Sequence, residues 1–142
     1  MRTGLLAKGA IFEIRAADGI VTCAVVNRSD ITPAEGARCA QEMDDVLSRE
    51  VLCDGAAYQG LVFDVRRGPA AFGPKTRVSL EKLFGNAERA QRRTAVLVGT
   101  SSTQYLQFSN LLRECDATHV QITRDPDQAL AWVRGDASSH PH

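Results

Sequence analysis

The chain has 142 residues, with 17 basic and 17 acidic side chains and a formal net charge of zero. That length fits one domain with a core of its own, and the balanced charge argues against nucleic acid as the main partner, because neutralising many phosphates needs a basic excess. Little net charge keeps copies apart, so a homo-oligomer is compatible with the composition. No apolar run approaches the roughly 20 residues that cross a bilayer. The first nine residues, MRTGLLAKG, are too short and too weakly apolar for a signal peptide, so a cytoplasmic protein is expected.

Residues 1–9 read as an N-terminal segment outside the domain, and the first elements as an antiparallel hairpin over 10–16 and 20–26. Ile11-Phe12-Glu13-Ile14-Arg15 roughly alternates apolar and polar, Asp18-Gly19 supplies the turn, and residues 20–26 are rich in β-branched side chains. A helix then opens on Thr32 as N-cap, Pro33 at the first position and Glu35 completing a capping box. Ala37, Ala40, Met43 and Leu47 give it an apolar stripe. Glu42, Asp44 and Asp45 fall largely outside that stripe and read as a solvated face.

Residues 60–65 form a short apolar run bounded by turn residues, the best candidate for a central parallel strand. Residues 66–74 carry two prolines and two glycines and read as the longest irregular loop. A helix over about 76–89 follows, with Val78, Leu80, Leu83, Phe84 and Ala87 as its apolar side. Residues 93–99 read as a strand that leads through Thr100-Ser101-Ser102-Thr103 into a helix containing Tyr105, Phe108, Leu112 and Cys115. A last strand over 119–123 precedes a helix that Asp125 caps and Pro126 opens, with Trp132 on its buried side. Residues 136–142 read as a disordered polar tail. The expected order is β-β-α-β-α-β-α-β-α on one mixed sheet, an α/β domain over 10–135 whose crossovers are right-handed.

This order resembles the STAS domain of bacterial anti-sigma factor antagonists, and more closely the divergent STAS-like proteins described as SpoIIAA-like. The residues that carry the likeness are Arg92-Arg93-Thr94-Ala95-Val96-Leu97-Val98-Gly99, the later Arg124-Asp125-Pro126-Asp127-Gln128-Ala129-Leu130-Ala131-Trp132, and the strand ending Phe63-Asp64-Val65-Arg66. The resemblance implies a non-enzymatic signalling module that binds another protein, a regulatory kinase or an anti-sigma-like factor. In such families a Ser or Thr at the start of the helix after the third strand takes phosphate, which changes the charge of the interface. The chain departs from the family's Asp-Ser pair: Asp64 is followed by Val65 and Arg66, and the nearest hydroxyls are Thr76 and Ser79. Some STAS-like relatives are linked instead to apolar or lipid-like ligands, so a small carrier or sensor is the alternative.

Candidate sites gather at the carboxyl ends of the strands, where parallel sheets place ligands. Arg66, Arg67, Lys75 and Arg77 form a basic cluster suited to an acidic or phosphorylated partner, or are ordinary surface charge. Phe72 is either an exposed hot spot among them or folds back over the core. Thr76 and Ser79 are candidate phosphorylation sites near a helix N-terminus, with helix capping as the plainer role for Thr76. Gly99, Thr100, Ser101 and Ser102 form a candidate anion-binding loop, with helix capping by a serine as the plainer role. No catalytic residue is assigned: Ser101 and Ser102 lack a base at their end of the sheet, since His119 begins the last strand at the other end. No cofactor is implied. Cys23, Cys39, Cys53 and Cys115 form no C-x-x-C pair and read as reduced, buried thiols rather than metal ligands.

Overall fold

The computed structural model describes residues 2–135, so the expected tail at 136–142 lies outside the described residues. A strand that the residue pattern does not announce, β1 (Gly4–Lys8), comes first. It pairs antiparallel with β2 (Phe12–Ala17), and a register shift between Leu5 and Ala7 bends it. Gly4–Lys8, expected to lie outside the domain, therefore enter the sheet, and the order is β-β-β-α-β-α-β-α-β-α rather than one strand shorter. Leu5-Leu6-Ala7 has no alternation to mark it; the unpaired edge of β2 is what makes it a strand. Tyr58 Oη–H fastens the segment by donating to Arg2 O at 2.8 Å.

Asp18 and Gly19 take φ of 54° and 80°, the two left-handed residues of a tight hairpin turn. They join β2 to β3 (Ile20–Val26), whose bounds match the sequence reading. Helix α1 (Pro33–Glu50) begins on the expected capping box: Glu35 N–H donates to Thr32 Oγ1 and Thr32 N–H to Glu35 Oε1, each at 3.1 Å. The chain continues through β4 (Gly60–Arg67), α2 (Pro74–Ala90), β5 (Arg93–Leu97), α3 (Ser102–Glu114), β6 (Val120–Thr123) and α4 (Pro126–Arg134). Asp125 caps α4 by accepting from Asp127 N–H at 2.9 Å.

The strands lie in chain order, β1 to β6, with the first two pairings antiparallel and the last three parallel. Each crossover from β3 onward advances one strand in the same direction, so α1, α2 and α3 stack on the same face. Alternation along β4 sends Leu61, Phe63 and Val65 into the larger core under these helices and Val62 into the smaller core under α4. Phe63, Phe84 and Phe108 meet edge to face, with ring centroids 6.2–6.4 Å apart. Gly60 is a point of close approach: a Cβ there would lie 2.5 Å from Arg93 O and 2.6 Å from the Val133 side chain.

Two expectations about helix faces need correction. Asp44 is buried, only 1 % exposed, because it sits on the flank of α1 that meets α2 and not on the solvent side. Val78 is 66 % exposed, because the inward side of α2 runs through Ser79, Leu80, Leu83, Phe84 and Ala87. Among the described residues no helix is long and apolar enough to cross a membrane.

Candidate functional site: an apolar cleft between two helix starts

The connections that leave β3 and β4 at their carboxyl ends feed the N-terminal turns of α1 and α2. Between those turns lies an open cleft of about 880 Å³, near the upper end of the range for small-molecule sites. Its existence follows from side-chain size. The C-terminal half of α1 fills its space with Met43 and Leu47, and Val51 at the C-cap continues the packing. The N-terminal half presents Ala34, Gly36, Ala37 and Ala40 to the cleft, and these leave the room between α1 and α2 vacant. Val25, Phe63 and Val65 supply residues from the strands, and Phe72, Leu80 and Phe108 close the apolar lining from the other side.

The Pro/Gly loop walls the cleft and is held by one side chain that sequence reasoning passed over. Gln104 is buried at the first turn of α3. Its Nε2–H₂ donates to Val65 O at 2.7 Å and Pro69 O at 3.2 Å, and its Oε1 accepts from Gly99 N–H at 3.0 Å. One amide thus ties the ends of β4 and β5 to the loop. Phe72 N–H donates to Gln107 Oε1 at 3.1 Å, and the Phe72 ring packs on Phe108 with centroids 5.3 Å apart. Phe72 therefore folds back over the core. The sequence signal for this device was only a polar residue three after a serine cap.

The basic cluster divides in the structure. Arg66 forms a two-pronged pair with Asp64, at 3.0 and 2.8 Å, which raises the guanidinium pKa further. Arg77 reaches Glu81 at 3.5 Å and Glu114 on α3. Arg67 is exposed. Lys75 borders the cleft and has neither an ion-pair nor a hydrogen-bond partner among the described residues. Thr76 lines the cleft, half-buried, whereas Ser79 is 8 % exposed on the inward side of α2 and closed to a modifying enzyme in this conformation.

The Gly99 loop is committed to structure at two points. Gly99 N–H is taken by Gln104, and Ser101 caps α3 by accepting from Gln104 N–H at 3.1 Å. Thr100 and Ser102 are exposed beside it. His119 stands at the start of β6, its Nδ1 2.9 Å from Glu88 Oε2, with no part in the cleft. Burial opposes ionisation of Glu88, but its hydrogen bonds to His119 and Thr118 outweigh this and hold the carboxyl below its ordinary value. Cys23 is buried with its pKa pushed up by burial and by Asp64; Cys39, Cys53 and Cys115 are half-buried, and all four thiols are free.

No family model matches the chain, and neither does any curated protein or solved structure.

Proposed function

We propose that this protein binds a small apolar molecule in the cleft between α1 and α2, as a carrier or sensor without chemistry of its own. The observation that carries the reading is the cleft: a space of about 880 Å³ with mainly apolar walls, in a protein interior otherwise packed around interlocking Phe, Leu and Val side chains. An apolar surface left open to water is unfavourable by about 25 cal/mol per Å², and a ligand that covers it recovers that free energy. The STAS likeness belongs to this proposal as a fold-level analogy, together with the cytoplasmic setting.

The test is a titration with a neutral environment-sensitive probe, N-phenyl-1-naphthylamine, against the wild-type chain and Ala37→Phe. Ala37 lines the cleft and is half-buried, so the larger ring occupies the vacant space. Wild type is expected to bind with a fluorescence rise, and the variant to lose at least about tenfold in affinity, about 1.4 kcal/mol, with its thermal midpoint held or raised. Equal probe binding by a folded Ala37→Phe protein would rule the cleft out.

A second reading, a regulatory protein-binding module, is favoured by Val78 and Leu106. They are 66 % and 59 % exposed on α2 and α3, two helices joined by the Arg77–Glu114 pair. Exposed Arg67 lies at the end of β4. In that reading the cleft ligand would be the signal, and the α2 and α3 surface would meet the partner.

A further inference from the structure

Resting on the cleft reading, we infer that the ligand is a single-chain amphiphile with a monovalent anionic head, a free long-chain carboxylate, whose tail lies in the cleft and whose head meets Lys75. The cleft is mainly apolar, with Asn27, Thr32 and Thr76 as neutral polar residues on its walls, and its charged lining is of one sign. Arg28 and Lys75 are the charged residues that line it, and no Asp or Glu does so among the described residues. The Arg28 charge is already matched. Its guanidinium is paired with Asp30 and reaches Ala10 O at 3.4 Å. Lys75 is left as an ammonium without a carboxylate partner among the described residues.

The surroundings of Lys75 reinforce that choice of head. It is the second residue of α2, whose first turn contains no acidic side chain, and Gly73 at the N-cap offers no side-chain acceptor. A cation at this end of a helix opposes the helix dipole, and the uncapped first-turn N–H groups add to the positive field. A carboxylate here answers the ammonium and the field together through charge-assisted hydrogen bonds. One unmatched positive charge fits one negative charge, and one cleft fits one chain. Lys75 is exposed at the border of the cleft, so with a neutral ligand its ammonium keeps only water, and a cationic ligand would be repelled.

The measurement is displacement of bound N-phenyl-1-naphthylamine from the full chain by decanoate, decanol and decylammonium, each below its micelle concentration, in wild type and Lys75→Gln. Decanoate is expected to displace at about tenfold lower concentration than decanol, with decylammonium weakest. Lys75→Gln should erase the decanoate advantage while leaving decanol unchanged. If decanol matches decanoate, or if Lys75→Gln keeps the preference, the head assignment is wrong and the cleft reading stands. If the probe does not bind, or none of the three displaces it, the cleft reading fails and takes this inference with it.

Discussion

Asp44 shows how one side chain can be stable in place yet costly. Its carboxyl is buried between α1 and α2; Oδ1 accepts from Ser48 Oγ–H at 3.3 Å, and Oδ2 has no hydrogen-bond partner. Burial raises its pKa, against weaker opposing effects of Lys82 and the Ser48 bond. A raised folded pKa means that the folded state holds the proton more tightly than the unfolded chain. The stabilising contribution is therefore complete below the unfolded value of about 3.9, and it is lost as pH rises through the folded value. Asp44→Asn should raise the thermal midpoint at pH 7 and lose that advantage as pH falls towards 4. Melting curves of both proteins at the two pH values decide it, and a lower midpoint for Asp44→Asn at pH 7 would contradict the account. The spacing of residues 42–45 could not reveal this burial, since a carboxylate at the margin of a helical stripe is placed by the neighbouring helix.

Among elements, helix starts and tight turns were legible because their chemistry is local. Thr32 with Glu35, Asp125 with Pro126, and Asp18 with Gly19 each carry their signal within four residues, and each does what that signal implies. The loop is different: expected over 66–74, it spans only 68–73 because β4 runs on to Arg67 and α2 begins at Pro74, and what orders it is Gln104, more than 30 residues away. Gln104→Leu removes three hydrogen bonds and leaves Val65 O, Pro69 O and Gly99 N–H without this partner. At about 1–3 kcal/mol for each buried group left unmatched, with solvent reaching some of them, a loss near 3 kcal/mol is expected. Chemical denaturation reads the loss, and faster amide exchange at Gly99 should accompany it. A change under about 0.5 kcal/mol, the scatter of ordinary surface substitutions, would show that the amide does not hold the loop. Val78 faces solvent because the sheet covers the side of α2 that carries Leu80, Leu83, Phe84 and Ala87, and apolar spacing along one helix does not reveal which side a sheet will cover.

At the scale of the whole molecule, the class of fold followed from the chain: one mixed sheet, an antiparallel opening, then alternation of helix and strand. The extra edge strand β1 did not, because its residues become a strand only by pairing with β2. The cleft did not either. A void is defined by atoms that are missing, and its sole trace in the sequence is the run of small residues Ala34, Gly36, Ala37 and Ala40 facing a Pro/Gly loop distant in the chain. The basic residues Arg66, Arg67, Lys75 and Arg77 are plain in the sequence, but their pairing is not: internal ion pairs take up Arg66 and Arg77, and Lys75 beside the cleft has no ion-pair partner among the described residues. These features together make ligand capture between α1 and α2 the central claim. The most direct measurement is the native mass spectrum of the full chain, gently purified from its own source, beside Ala37→Phe prepared in the same way. The account predicts a discrete small-molecule increment on the wild-type chain that Ala37→Phe lacks. A bare mass for both proteins, unchanged after incubation with a lipid extract of the source, would contradict it.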